Sequence, residues 1–316
     1  MDIFLVHNPG LMTTVQDLGR FGFLDSGVPP SGALDSFACR IANLLVGNPE
    51  NLAVLEMTVT GPTFEAMRKA DIAITGAEMG ATLNKIPIVS WEAIRVKKGD
   101  TIRIPRTHKG CRAYLAVNGG FDVPLLMGSR STFVRAKFGG FQGRMLLKGD
   151  VLKKGECALS DHRRSLPPEF IPDYQKEIVL RAIPGPQEDS FNNAIDLFFK
   201  AHYQVTAQSD RMGCRLHGPL IEHDKDAPES IVTEPTIPGN VQVPADGQPI
   251  ILLVEQTTGG YSKIATVIST DMQKVAQLMP GHTVMFERTT VENAHILYRE
   301  SESRLQQIRE ILCRCF

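Results

Sequence analysis

The chain has 316 residues, 42% of them apolar and 22% charged, with a net charge of −1. That is ordinary globular composition, with no basic surplus for nucleic acid or for an anionic membrane surface. Pro9 and Gly10 interrupt an N-terminus that lacks the regions of a secretion signal, and no apolar run approaches membrane-spanning length. A soluble, cytoplasmic protein is expected, and the length points to two domains. The six cysteines contain no CxxC, and neither they nor the eight histidines fall at metal-ligand spacings, so no metal is expected.

In chain order, Ile3–Val6 reads as a first strand, ended by Asn8-Pro9-Gly10. A turn-rich stretch, Gly27 to Gly32, leads into the clearest helix of this half. Leu34, Phe37, Ala38, Ile41, Leu44 and Leu45 recur at helical spacing, with Ser31 as the expected N-cap and Gly47-Asn48-Pro49 as the stop. From Val54 to Leu159 short apolar runs alternate with Gly, Pro and Asn. That rhythm suits a β-barrel or sandwich better than βαβ units.

Between Asp161 and Lys176 the composition turns to charge and proline, which marks a linker. Domains of 1–165 and 175–316 are therefore expected, the second with a helical tail (Leu305, Ile308, Ile311, Leu312). Further helical patterns occur at Phe191–Phe199 and from Thr270 to Met279. The runs Ile250–Val254 and Ile264–Ile268 enclose a polar loop from Glu255 to Lys263, with Gly259-Gly260 at its centre. Either a hairpin with a soluble tip or a ligand loop fits this pattern.

Four short matches recur in the same order in both halves. Asp2–Leu5 with Pro9-Gly10 answers Glu177–Leu180 with Pro184-Gly185, and Gly61-Pro62 answers Gly218-Pro219. Leu115–Phe121 answers Leu253–Tyr261, and Leu152–Gly155 answers Leu278–Gly281. A duplicated β unit is the physical reading, with a cleft between domains as a favoured ligand place.

No Walker loop, GxGxxG, GxSxG or HExxH is present. Four polar clusters remain. Thr13–Arg20 sets Asp17 close enough to Arg20 to pair on a turn, as an ion pair pinning a loop or as a ligand clamp. Gly27–Asp35 places backbone N–H groups at a helix start, an anion site unless Ser31 merely caps it. Ser209–Gly213 carries the cation Arg211, and Gln256–Lys263 is the loop above.

Together with Ala42–Pro49, Asn118–Phe121, Gly128–Thr132 and Val241–Pro249, these clusters resemble the carboxyltransferase A/B-domain family. It is also described as allophanate hydrolase subunit 2 or KipA-type, and it includes the C-type subunit of 5-oxoprolinase and urea amidolyase-related proteins. The resemblance runs from Thr13 to about Phe286. Ser262 stands where the family pattern has proline, and Pro235 where it has glycine.

The resemblance implies a mainly β fold of two tandem cyclophilin-like β-barrel domains with a few short helices. It also implies a B-type partner subunit (allophanate hydrolase subunit 1 or KipI-like) and a small amide substrate. For a free-standing subunit of this size the implied activity is ATP-dependent 5-oxoprolinase, a lactam opened to glutamate with a third, lactam-hydrolase subunit. ATP is the implied cofactor, bound by this chain or its partner. One alternative is a biotin-dependent carboxyltransferase subunit, with biotin supplied in trans. Another is a non-catalytic regulator that binds a kinase-inhibiting B-type partner.

Opening an amide needs donors placed for the developing oxyanion. On this reading Arg20 and Arg211 supply fixed charge, and the backbone near Gly27–Gly32 and at Gly259 and Gly260 supplies N–H donors. Gln16, Gln256, Thr257 and Thr258 orient the amide, with Ser31, Asp35, Gln242 and Tyr261 also in contact with substrate. Asp17 or Asp246 is the expected general base.

Overall fold

A computed structural model of the protein describes every residue except 161, 162, 229 and 314–316. Asp161 and His162, at the start of the expected linker, and Cys315 thus lie outside the described residues. The chain forms two compact units. One takes Met1–Arg20, Ser31–Tyr174 and the chain from Leu305; the other takes Phe21–Pro30 and Gln175–Arg304. The fold is mainly β in both units.

In the first unit one sheet runs Val151–Lys153, Asp2–Asn8, Thr63–Ala66, Thr101–Arg103, Thr82–Leu83, Ile86–Pro87. The other runs Met12–Gln16, Val54–Thr58, Lys109–Val117, Ala70–Glu78, Ala93–Val96. Side chains alternate across a strand, so Phe64 and Ala66 are sealed while Thr63 and Glu65 remain partly exposed. One core holds Ile3, Phe4, Leu55, Met57, Phe64 and Leu115, with Phe4 stacked on Phe64 at 5.0 Å. Lys109–Val117 is buried on both faces: Ala113, Leu115 and Val117 join that core, and Tyr114 and Ala116 join a second. This double burial explains the near-continuous apolar run in the sequence.

The helix Ser36–Leu45 covers the second face, with Ala38, Ile41 and Leu45 fully buried. It starts later than the periodicity suggests. Asp35, not Ser31, is its N-cap, accepting from the Ala38 N–H at 2.9 Å, while Ser31 sits at φ 53°. A carboxylate caps as well as a hydroxyl and also meets the positive end of the helix dipole. The C-terminal helix Val291–Cys313 buries Leu305, Ile308 and Leu312, spaced by three and four residues, in the same second core.

In the second unit seven strands close into a barrel. Their order is Glu177–Pro184, Ser262–Val267, Asn240–Val243, Ile250–Leu252, Gly213–His217, Tyr203–Val205, Thr283–Arg288. The last strand closes on the first in parallel. Closure removes free strand edges, and Phe198 stacks on Phe286 at 4.4 Å within the unit. The two apolar runs around Gly259-Gly260 do not form a hairpin. Asn240–Val243 lies between them and pairs with both.

Candidate functional site

In the first unit the polar cluster is built on Asp17. Its Oδ1 accepts from Gly19 N (2.9 Å), Ser129 Oγ (2.6 Å) and Ser131 Oγ (2.5 Å), and its Oδ2 accepts from Arg130 N (2.6 Å). With 6% exposure, this carboxylate is a staple for the 129–131 loop. Arg20 makes no ion pair with Asp17 among the described residues. Its Nε donates to Leu126 O (3.4 Å), its Nη2 to Ser131 O (2.9 Å), and its Cζ lies 4.6 Å from the Phe138 ring centroid. Burial draws its pKa down and the Asp17 charge opposes this, yet a guanidinium stays charged. Its Nη1 is buried without a partner among the described residues.

Gln16 is sealed in the same way, donating to Thr14 Oγ1 and Thr132 O and accepting from Gly32 N. Asp35 N donates to Tyr114 OH, which donates to Glu56 Oε2 at 2.8 Å, and Tyr174 OH donates to Asp35 Oδ2 at 3.2 Å. Burial pushes both phenols well above their ordinary range, with the nearby carboxylates adding to it, so they act as donors. The expected anion site at this helix start is therefore filled by Asp35 itself. A phosphate of ATP does not fit there. Gly27 and Val28 donate to Leu24 O and Phe23 O in their own turn, so these N–H groups are also taken. Ser31 Oγ is buried and unpartnered among the described residues.

In the second unit the Gly259-Gly260 loop is clamped along one side. Gly259 pairs with Glu234, Ile231 N donates to Gly260 O, and Thr236 N donates to Thr257 O. A Cβ on Gly259 would lie 2.2 Å from the Gln242 Nε2, so the glycine is what lets this buried amide approach. Gln242 also donates to Tyr261 O at 3.4 Å. Beside it, Lys263 Nζ donates to Glu234 Oε1, which accepts Gln187 Nε2 at 2.9 Å. Gln187 Oε1 in turn accepts from Lys263 N at 3.1 Å. The Lys263 hydrogen bond holds the Glu234 carboxyl below its ordinary range, against a smaller desolvation effect, and the Gln187 bond adds to it.

Arg211 Nε meets Glu255 Oε1 at 2.5 Å with both side chains buried, an internal ion pair within the barrel unit. Asp246 is exposed and accepts from Gln248 N at 3.1 Å in its own turn. Gln256 donates to Thr258 O; Thr258 and Tyr261 are exposed on the loop. The structure thus brings Gln242, Gly259, Gly260 and Tyr261 together with Lys263, Glu234 and Gln187. Those last three were not singled out from the sequence. Lys263 had a signal: a cation at the mouth of an otherwise apolar strand, beside the glycine pair. Among the described residues no cluster of His, Cys, Asp and Glu could hold a metal ion, and no helix is long and apolar enough to cross a membrane.

Residues 26–288 match the family model described as carboxyltransferase domain, subdomain A and B. The chain belongs to that family. It is 38% identical to the C subunit of the 5-oxoprolinase of Escherichia coli over 95% of each chain. It is 32% identical to the urea amidolyase of Saccharomyces cerevisiae over 95% of this chain, which spans 17% of that protein. The crystal structure of the K. lactis urea amidolyase superposes with a TM-score of 0.91 at 33% identity, covering 97% of this chain and 20% of that one.

Proposed function

We propose that this protein is the C-type subunit of an ATP-dependent 5-oxoprolinase, acting in the cytoplasm with a B-type partner and a third, lactam-hydrolase subunit. The supporting observation is the end-to-end match with a free-standing C subunit of 5-oxoprolinase; the urea amidolyases carry the same region as under a fifth of a longer chain. ATP is assigned to the partner subunits, where it supplies the driving force for opening a stable lactam.

The chemistry asked of this chain is polarisation of the lactam carbonyl. Water adds to the carbonyl carbon, the ring C–N bond breaks, and the nitrogen leaves as the amine of glutamate. The buried Lys263 ammonium is the cation best placed to meet the developing oxyanion, with Glu234 and Gln187 fixing its position. Gln242, held against Gly259, and the exposed Thr258 and Tyr261 orient the amide. Asp17 and Arg211 keep the two units' loops in place instead of exchanging protons or contacting substrate.

A second reading, a biotin-dependent carboxyltransferase subunit, is supported by the urea amidolyase matches. Both are tested by co-purifying the chain with its partners and measuring ATP hydrolysis and glutamate formation. The 5-oxoprolinase reading expects ATP hydrolysis that needs both 5-oxoproline and this chain. Turnover that depends on a biotin carrier instead overturns it in favour of the second.

A further inference from the structure

We propose that the first unit carries a separate binding site for a small organic anion with a flat apolar body. A cavity of about 500 Å³ opens there between residues 122–126, 137–143 and the strand Val151–Lys153. That volume lies within the range of small-molecule sites. Val123, Phe138, Phe141 and Val151 give it apolar walls able to take a ring.

Its charged lining is unbalanced. Lys137 and Lys153 face a single carboxylate, Asp122, and no ion pair or hydrogen bond engages either lysine's ammonium among the described residues. Behind this lining lies a third cation. Arg20 donates to the carbonyl of Leu126 and packs under the ring of Phe138, and both residues line the cavity. A Cβ on Gly139 would come within 2.9 Å of the Arg20 Nη2 and 2.1 Å of Ser131 O, so the guanidinium sits directly against the lining at a glycine. Arg20 is 1% exposed, and its Nη1 is buried with no partner among the described residues. A buried unmet donor is costly to retain. An anion in the cavity sits in the field of these cations, while the rings of Phe138 and Phe141 receive its apolar part.

The test uses the full chain alone, so it is independent of the 5-oxoprolinase reading. Benzoate and its neutral isostere benzamide are titrated while the backbone amides of Gly139–Gly143 are followed by NMR. The expected result is saturable benzoate binding with a Kd below about 1 mM and benzamide at least about tenfold weaker. In the variant K137M/K153M, whose sites are exposed and whose fold is checked by melting, benzoate is expected to fall to the benzamide level. Replacing Val151 with Trp is expected to weaken both ligands. Equal binding of the two probes, no saturation, or an unchanged benzoate Kd in K137M/K153M overturns the proposal. So does concentration-dependent dimerisation that shifts the same amides, which would make the cavity a contact for a second copy of the chain.

Discussion

The ammonium of Lys263 donates to the carboxylate of Glu234, with the lysine side chain 4% exposed and the glutamate side chain 38% exposed. A buried cation is thus neutralised by a group that reaches solvent. An ammonium has three donors, so an incoming carbonyl oxygen can share Lys263 without displacing its anchor.

Lys263→Met removes that charge while keeping most of the volume. In the reconstituted complex we expect the turnover number to fall by about a hundredfold or more, the scale of losing one oxyanion donor. Glu234→Gln keeps a hydrogen-bond acceptor and is expected to cost less. Steady-state kinetics check both, and a Lys263→Met complex turning over at the normal rate removes this lysine from the chemistry.

Arg211→Ala strands the Glu255 carboxylate in a buried position. Breaking a buried pair from one side costs about 3–5 kcal/mol, whereas replacing both partners with apolar side chains is often tolerated. Denaturant unfolding is therefore expected to show a large loss for Arg211→Ala and recovery in the double variant Arg211→Met, Glu255→Met. Equal losses in both variants would show that the pair itself stabilises the unit.

Asp17→Asn keeps the shape of the staple but turns one acceptor oxygen into a donor that faces other donors. Hydrogen bonds to a charged group contribute about 1.5–3 kcal/mol each, so unfolding should occur at clearly lower denaturant. Activity per folded molecule is expected to hold. A variant of normal stability and no turnover would place Asp17 in proton transfer.

Acid should loosen the second unit through Asp271. Burial raises its pKa, but the Arg181 side chain and backbone N–H, with Lys274, outweigh this and leave it below its ordinary 3.8. Since the folded value is the lower one, the unfolded chain takes up the proton first. The stabilisation is complete above the ordinary value and is lost as pH falls through the folded one. Unfolding measured from pH 6 down to pH 2 should show a steepening loss below about pH 4 that Asp271→Asn flattens.

The strand rhythm and the helix over Ser36–Leu45 were legible because both are local: period two, period 3.6 and a stop at Gly47. So was the family, carried by short stretches that keep their order along the chain. The N-cap was misplaced by four residues because Ser31 and Asp35 are both good caps, and backbone geometry chose between them. The Gly259-Gly260 loop was rightly noticed, but its two apolar flanks were not each other's partners.

The sequence by itself determined which segments bury an apolar face and to which family they belong, since both depend on residues near one another in the chain. Tertiary structure alone decided what each charge does. Asp17 and Ser131 lie 114 positions apart, and Lys263 and Glu234 lie 29 apart, yet each pair meets through a hydrogen bond. A carboxylate already surrounded by donors is a staple, and a cation held by one rim carboxylate can still take a ligand. That difference is set by the partners folding brings within about 3 Å, and no local pattern encodes them.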